Sequence, residues 1–193
     1  MPADLKEIPN QTFQDCQALT EILLPEKLTA IRDKAFSGCT SLRKVNLPES
    51  ITEIEDDAFF KCALDEVTLP ANLKVLGCAF RSCYQLKQII IPKSVEFIGS
   101  GVFRTCTSLE SVFYEGRLDD WIAILDKDMR NDSFSDATIY FYSETEPTEE
   151  GKAAGIPVSH IIMFGGGLLV AVGALVGINF YQKRRAQSSS NAD

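Results

Sequence analysis

A motif of about 23 residues is repeated nearly five times between Leu5 and Gly116. A phenylalanine recurs at intervals of 23, 23, 21 and 23 residues, and a cysteine follows each one three residues later. The phenylalanines are Phe13, Phe36, Phe59, Phe80 and Phe103, and the cysteines are Cys16, Cys39, Cys62, Cys83 and Cys106. A unit this short cannot bury a core alone, so the period is typical of a solenoid whose units stack on one another.

Each repeat contains an apolar run that predicts a β-strand. In the copy L-R-K-V-N-L-P, alternation directs Val45 and Leu47 inward and Lys44 and Asn46 outward. The closing proline has no N–H for the strand ladder and should end the strand. The segment 51–54 predicts a second short extended piece, and 56–62 has the spacing of one helical turn. We therefore expect a leucine-rich repeat solenoid of about five coils of 21–23 residues, with parallel strands and short extended or helical turns.

These residues resemble the BspA-like leucine-rich repeat family. Its units carry I-x-x-x-A-F-x-x-C-x-x-L-x-x-I-x-L-P, and residues 31–48, I-R-D-K-A-F-S-G-C-T-S-L-R-K-V-N-L-P, fit this pattern without a gap. The third repeat is one residue short before its leucine and the fourth is one short before its phenylalanine, so we expect small loop adjustments there. The family is associated with the surfaces of anaerobic bacteria and some parasitic protists, and with attachment to host matrix proteins or other cells. The resemblance implies a binding role for residues 1–116, without identifying the ligand.

The cysteines allow three interpretations, which are disulfides, a metal site and buried thiols. A metal site is disfavoured because the chain has no C-x-x-C pair and its single histidine, His160, lies outside the repeats. Disulfides fit the distance between stacked coils, but equivalent side chains project in parallel, which does not suit the near-perpendicular disulfide torsion. We therefore expect the five repeat cysteines to form a ladder of buried thiols, and Cys78, which lies out of register, to react first with a thiol reagent.

The outward strand positions form two columns that are candidates for recognition. The first column is Glu21, Lys44, Glu66, Gln88 and Ser111, and the second is Leu23, Asn46, Thr68, Ile90 and Phe113. Solenoids bind partners on such continuous surfaces, and exposed apolar residues can mark a contact site. Leu23 and Phe113 belong to the end coils, however, and could instead pack under caps. The candidate partner-binding face is Lys44, Asn46, Glu66, Thr68, Gln88, Ile90, Ser111 and Phe113.

The period stops after Gly116 and the chain changes character. Leu118, Trp121 and Ile122 have the spacing of an amphipathic helix, and A-T-I-Y-F-Y at 137–142 predicts a final strand. Residues 117–142 also resemble the element that closes many BspA-like arrays, so we expect a C-terminal cap. Residues 143–160 are acidic and poor in apolar side chains, which predicts a juxtamembrane spacer.

Residues 161–181 predict a single transmembrane helix. The stretch 161–178 has no charged residue, and its length approaches that needed to cross roughly 30 Å of hydrocarbon. A basic cluster, 183–185, follows the segment, so the positive-inside rule places the tail 182–193 in the cytoplasm and the repeats outside the cell. The G-x-x-x-G spacing of Gly173 and Gly177 would suit a homodimer of helices, although glycine is common in membrane helices for other reasons.

The net charge and the motif content of the chain argue against nucleic-acid binding and against enzyme activity. A net charge of −8 argues against a nucleic-acid partner. We expect no enzyme activity, catalytic residue, metal or cofactor, because no nucleophile and base can be paired and no phosphate-binding loop follows a strand. The repeats begin at Leu5 without a signal peptide or a polar cap, so we expect a truncated start.

The leading hypothesis is a single-pass cell-surface protein whose repeats bind a protein or glycoprotein, in adhesion to host matrix or to other cells. One alternative is a structural surface-layer protein that associates with itself. Another is the membrane-proximal fragment of a longer receptor or enzyme.

Overall fold

The repeats form a parallel β-solenoid in the computed structural model, which describes residues 1–124, 137–141, 154–157, 161–164 and 167–170. The strands of the five coils are β1 (Glu7–Ile8), β2 (Glu21–Leu23), β3 (Ala30–Ile31), β4 (Lys44–Asn46), β5 (Glu53–Ile54), β6 (Glu66–Thr68), β7 (Val75–Leu76), β8 (Gln88–Ile91), β9 (Phe97–Ile98) and β10 (Ser111–Tyr114). The odd-numbered strands pair in parallel in one five-stranded sheet. The even-numbered strands line a second side of the coils. The prediction of stacked coils with parallel strands is confirmed.

The strands are joined within each coil by a segment that carries the phenylalanine and the cysteine, which we call the Phe–Cys turn. These turns occupy residues 10–16, 33–39, 56–62, 78–83 and 100–106. Most of them contain two residues with positive φ, for example Asp57 at 52° and Lys61 at 59° in the third coil. A right-handed helix does not contain such residues, so the predicted helical turn is replaced by tight turns. This arrangement reverses the chain while Phe59 and Cys62 both point into the core.

The core is a stack of identical side chains. Consecutive rings from Phe13 to Phe103 lie 5.2, 5.3, 5.4 and 6.3 Å apart between centroids. The first three pairs are parallel within 6°. Four cysteines lie beside the stack, and the Sγ of each donates a hydrogen bond to the phenylalanine carbonyl of the preceding coil, as from Cys62 to Phe36 O at 3.2 Å. Stacking of the coils therefore buries the apolar rings and also gives the cysteine thiols and phenylalanine carbonyls hydrogen-bond partners.

The second sheet is interrupted between the second and third coils. Strand β2 pairs only with β4, whereas β6 begins a separate sheet with the order β6, β8, β10 and two later strands. The missing residue before Leu64 shortens the approach to β6, so this strand does not align with β4. The predicted loop adjustment thus extends to the strand pairing itself.

The shortened fourth repeat produces a second local adjustment, on the other sheet. A Cβ on Gly77 would lie 2.9 Å from the backbone N of Asp56, and a Cβ on Gly99 would lie 2.9 Å from the backbone N of Cys78. Real Cβ atoms essentially never approach backbone so closely, so glycine is required at both positions for the coils to stack.

A helix and two strands follow the last coil. Helix α1 spans Leu118–Ile124, β11 (Thr138–Phe141) pairs in parallel with β10, and β12 (Ala154–Pro157) pairs antiparallel with β11. Trp121 is buried between Tyr114 and Phe141, with ring centroids at 5.1 and 6.2 Å. The helix and β11 fall within residues 117–142, whose role as a C-terminal cap stays a prediction. Strand β12 falls inside the predicted spacer 143–160.

In the predicted membrane segment, the described residues form β-strands and not the expected helix. Strands β13 (Ile161–Phe164) and β14 (Gly167–Val170) pair antiparallel. Among the residues that the structure describes, no helix has the length and apolar character to cross a membrane. The rest of 161–181 and the whole tail 182–193 lie outside the described residues.

Candidate partner-binding surface

The candidate recognition residues lie on the solvent side of the even-numbered strands. Strand register pairs Glu66 with Gln88, Gln88 with Ser111 and Ser111 with Thr138. The second column continues in the same way. It consists of Thr68, Ile90, Phe113 and Tyr140. We call the eight residues of these two columns on β6, β8, β10 and β11 the outer strand face.

The alternation of side chains along each strand produces this face. The residues between the two columns, Val67, Ile89, Val112 and Ile139, are 0 to 5% exposed and pack into the core. Their neighbours in sequence must therefore project to the opposite side, because successive side chains in a strand alternate. The outer strand face consequently rests on a fully packed layer, which holds its side chains in fixed register.

Aromatic residues dominate the C-terminal end of the outer strand face. The rings of Phe113 and Tyr140 stack with centroids 4.7 Å apart and an interplanar angle of 13°. Ile90 and Phe113 are half-buried rather than fully exposed. Stacking along the column explains this, because each side chain covers part of the next.

Tyr140 was not among the residues singled out from the sequence. The signal for it was present, since A-T-I-Y-F-Y was predicted to be a strand. What the sequence did not give was the pairing of this strand with β10, which places Tyr140 in the same column as Phe113.

Two of the predicted residues do not join this face. Lys44 and Asn46 lie on β4, which pairs with β2 and not with β6. Asn46 is also engaged in the fold, because its Oδ1 accepts a hydrogen bond from the backbone N–H of Leu24 at 2.9 Å. Leu23, beside it, is 82% exposed and does not pack under a cap within the described part of the chain. The two columns are therefore continuous within each sheet but do not cross the break, and their role in binding stays a prediction.

The other candidate positions lie elsewhere. Gly173 and Gly177, proposed for helix pairing, fall outside the described residues. An open pocket of about 610 Å³ is lined by Glu7, Pro9, Asn10, Arg32 and Glu55 on the side of the odd-numbered strands.

That pocket surrounds an ion-pair network rather than an empty site. Arg32 contacts Glu7, Glu53 and Glu55 at 2.8 to 2.9 Å, so it links the first three coils. The hydrogen bonds to Glu55 and Glu7 raise the pKa of Arg32 above its ordinary value. These groups satisfy one another, and we assign the network to coil stacking.

The cysteines offer little reactivity. Burial raises the pKa of Cys39 to about 11 and that of Cys106 to about 12. Since the thiolate is the nucleophile and the metal ligand, buried protonated thiols are suited to neither role. In the described part of the chain, no three or more His, Cys, Asp or Glu residues are grouped so as to hold a metal ion. One prediction was wrong: Cys16 is exposed and does not belong to the buried ladder, because within the described residues no coil lies before its own.

Comparisons with known proteins agree with this architecture. The family model for the BspA type leucine rich repeat region matches residues 6–122 in six copies. A leucine-rich repeat protein of T. pallidum is 37% identical over 56% of this chain and 52% of its own, with a TM-score of 0.55. A leucine rich cell surface protein of Faecalibacterium prausnitzii is 30% identical over 65% of this chain and 34% of its own, with a TM-score of 0.60.

A third solved structure shares the fold alone. The pneumococcal vaccine antigen PcpA is 24% identical over 74% of this chain and 35% of its own, with a TM-score of 0.59. The chain thus spans from about a third to about half of the length of these proteins. A search of the curated proteins gives no significant match.

Proposed function

Because this chain belongs to the BspA-type leucine-rich repeat family, we propose that it binds a protein or glycoprotein at the cell surface through the outer strand face. A protein-interaction role is the general function of such a repeat surface. The observation that carries the assignment to this face is the column of Ile90, Phe113 and Tyr140, where solvent-facing strand positions are apolar or aromatic.

The chemistry of the face supports recognition of a macromolecule. Aromatic side chains are enriched at the centres of protein interfaces because they bury large areas at low cost in side-chain entropy. The neighbouring column, Gln88, Ser111 and Thr138, supplies amide and hydroxyl groups that could form hydrogen bonds around such a centre. Both columns are carried by paired strands, so little order would have to be gained on binding.

We further propose that the protein is anchored in a membrane and functions in adhesion to host matrix or to other cells. The relative from Faecalibacterium prausnitzii is described as a cell surface protein. Residues 161–178 of this chain carry no charge and are followed by Lys183, Arg184 and Arg185. In a bilayer, a helix satisfies all its backbone groups, whereas an isolated pair of short strands would not. On intact cells, external protease should remove an N-terminal tag and spare a C-terminal one; the reverse would contradict this orientation.

The outer strand face can be tested by placing charge on it. The double variant Ile90→Glu and Phe113→Glu should weaken binding of the full chain to immobilised fibronectin, laminin or collagen by about thirtyfold, as expected when a central apolar contact is lost. Surface plasmon resonance would measure the dissociation constants. A matched control is Val75→Glu and Phe97→Glu, which alters paired outward positions of the other sheet and adds the same charge.

The controls decide between the proposed functions. Circular dichroism must show that both variants keep the β-sheet signal of the parent chain. Unchanged binding by the variant at positions 90 and 113, or equal loss in both variants, would contradict a role for this face. If the parent chain binds none of the matrix proteins but sediments as a self-associated species, the structural surface-layer alternative would replace adhesion.

A further inference from the structure

A column of cations runs along the Phe–Cys turns of the last three coils. Lys61 donates its backbone N–H to Arg81 O at 3.1 Å, and Ser82 donates its own to Arg104 O at 2.8 Å. These hydrogen bonds place the turns of successive coils side by side, at a spacing of about 5 Å. We call the surface formed by Phe60, Lys61, Arg81, Tyr84 and Arg104 the basic ridge.

An aromatic ring organises the basic ridge. The Lys61 Nζ lies 5.0 Å and the Arg81 Cζ lies 5.2 Å from the centroid of the Phe60 ring. Both distances are within the range of a cation–π attraction, which holds the two charges on one side chain without neutralising them. Tyr84, which directly follows the turn 78–83, is 51% exposed and provides a second aromatic side chain next to it.

The charge of the basic ridge differs from that of the molecule. The acid paired with the ridge is Asp57, which contacts Arg81 at 2.9 Å and is itself largely buried. Asp56, in the same turn as Asp57, is a second acid, so the three cations leave a local charge of about +1 in a chain whose net charge is −8. At the position of Arg81 and Arg104, directly after the phenylalanine, the first two coils carry Gln14 and Ser37. The cation in the turns of those two coils is Lys34, which is paired with Asp33 at 3.0 Å.

Hydrogen-bonding capacity also remains at this surface. Arg104 is exposed, and among the described residues it has no ion pair. A guanidinium presents several N–H donors in a planar fork that matches the oxygens of a tetrahedral or planar anion. The basic ridge can therefore accept further anionic groups without breaking the Asp57 contact.

We propose that the basic ridge binds a sulfated polysaccharide. Such a chain carries sulfates at regular intervals, which suits cations repeated from coil to coil, and its sugar rings present apolar faces that suit Phe60 and Tyr84. An acidic peptide would use the cations but has no need of the aromatic rings. The acidic remainder of the molecule would repel a polyanion, so contact would be restricted to this ridge, which is separate from the outer strand face.

Binding of the full chain to immobilised heparin at about 0.15 M salt tests the proposal. The parent chain should bind heparin and fail to bind fully desulfated heparin or polyglutamate. The variant Lys61→Gln and Arg104→Gln should weaken heparin binding by about tenfold, since two exposed charge contacts are lost. The matched control Lys27→Gln and Lys93→Gln, which removes the same charge from the proline side of the coils, should bind as the parent does.

A second variant separates the aromatic contribution from charge. Tyr84→Ala should weaken heparin binding severalfold, whereas Phe97→Ala, at an exposed aromatic on the odd-numbered sheet, should leave it unchanged. The proposal would be overturned by absence of heparin binding, by equal binding to polyglutamate, or by equal losses in the ridge and control variants.

Discussion

At the scale of single residues, the burial of each cysteine depends on the coils around it. Cys62 and Cys83 lie between coils, and burial raises the pKa of each thiol far above its ordinary value. Burial also raises the pKa of Cys78 to about 11, with a smaller contribution from Asp56, while its Sγ donates to Ser100 O at 2.7 Å. Cys16 is exposed. Thiols that share one sequence motif thus differ widely in their access to solvent.

This difference predicts the order in which the thiols react. With the folded chain at pH 8, iodoacetamide should label Cys16 first and Cys78 more slowly, because alkylation requires the thiolate and a raised pKa lowers its concentration. The four buried cysteines should react only when the coils open. Mass spectrometry of tryptic peptides at successive times measures each rate.

Two comparisons make the labelling experiment decisive. In denaturant all six cysteines should react at similar rates, which removes differences in peptide recovery. Raising the pH towards 11 should accelerate Cys78 as its thiolate forms. Labelling of Cys62 or Cys83 before Cys16 in the native protein would contradict the packing of the core.

The sequence predicted most of this pattern and missed part of it. The Phe–Cys spacing identified which side chains face inward, since the spacing fixes the turn. It could not reveal that Cys16 lacks a covering coil, because burial depends on neighbours beyond the repeat itself. It predicted that Cys78 would react first, whereas we now expect Cys16 to do so, because the Sγ of Cys78 donates to Ser100 O in the next coil.

At the scale of the elements, the interruption between β4 and β6 changes backbone hydrogen bonding. The residue before each even-numbered strand normally donates its N–H to the preceding coil. Arg43 donates to Thr20 O at 2.8 Å, and Lys87 donates to Asp65 O at 2.8 Å. Within the described residues, the N–H of Asp65 has no such acceptor. The break therefore leaves an identifiable amide without the bond that its counterparts form.

Hydrogen exchange should detect this amide. After correction for intrinsic rates, the N–H of Asp65 should exchange at least about tenfold faster than those of Arg43 and Lys87, because bonded amides exchange only after local opening. Amide-resolved NMR on the full chain would measure the rates. Insertion of one alanine between Ala63 and Leu64, which restores the cysteine-to-leucine spacing of the other repeats, should slow exchange at this position.

Equal protection of the three amides would show that β4 and β6 pair in solution. The strands themselves were predictable, because alternation and the closing proline depend on neighbouring residues only. The break was not, since register between coils depends on how a one-residue deletion is absorbed. The missing residue before Phe80 is accommodated differently, because the coils make close backbone contacts at Gly77 and Gly99. The sheet formed by β1, β3, β5, β7 and β9 stays continuous there.

At the scale of the whole molecule, stability comes from contacts between adjacent coils. Phe59 is fully buried and stacks on Phe36 and Phe80, whereas Phe13 is half-buried and stacks only on Phe36. In a solenoid each unit contacts only its neighbours, so a central residue contributes to two interfaces and an end residue to one.

Truncation of these two rings should therefore have unequal effects. Phe59→Ala should lower the free energy of unfolding by roughly 3 to 5 kcal/mol, the range for buried aromatic truncations. Phe13→Ala should cost about 1 kcal/mol, because this ring is only partly buried and stacks on one neighbour. Urea denaturation followed by circular dichroism gives both values. Similar losses would indicate that the first coil is as tightly packed as the central ones.

The hydrogen bonds between coils have a consequence for how the chain acquires its structure during synthesis. Phe36 donates its N–H to Ala58 O, 22 residues further along, and equivalent bonds recur from turn to turn. Each new coil therefore finds its docking surface in the segment made just before it, and no contact has to wait for a distant part of the polypeptide. Because closure over such short distances is fast compared with elongation, we expect the repeats to assemble in order of translation, one coil at a time.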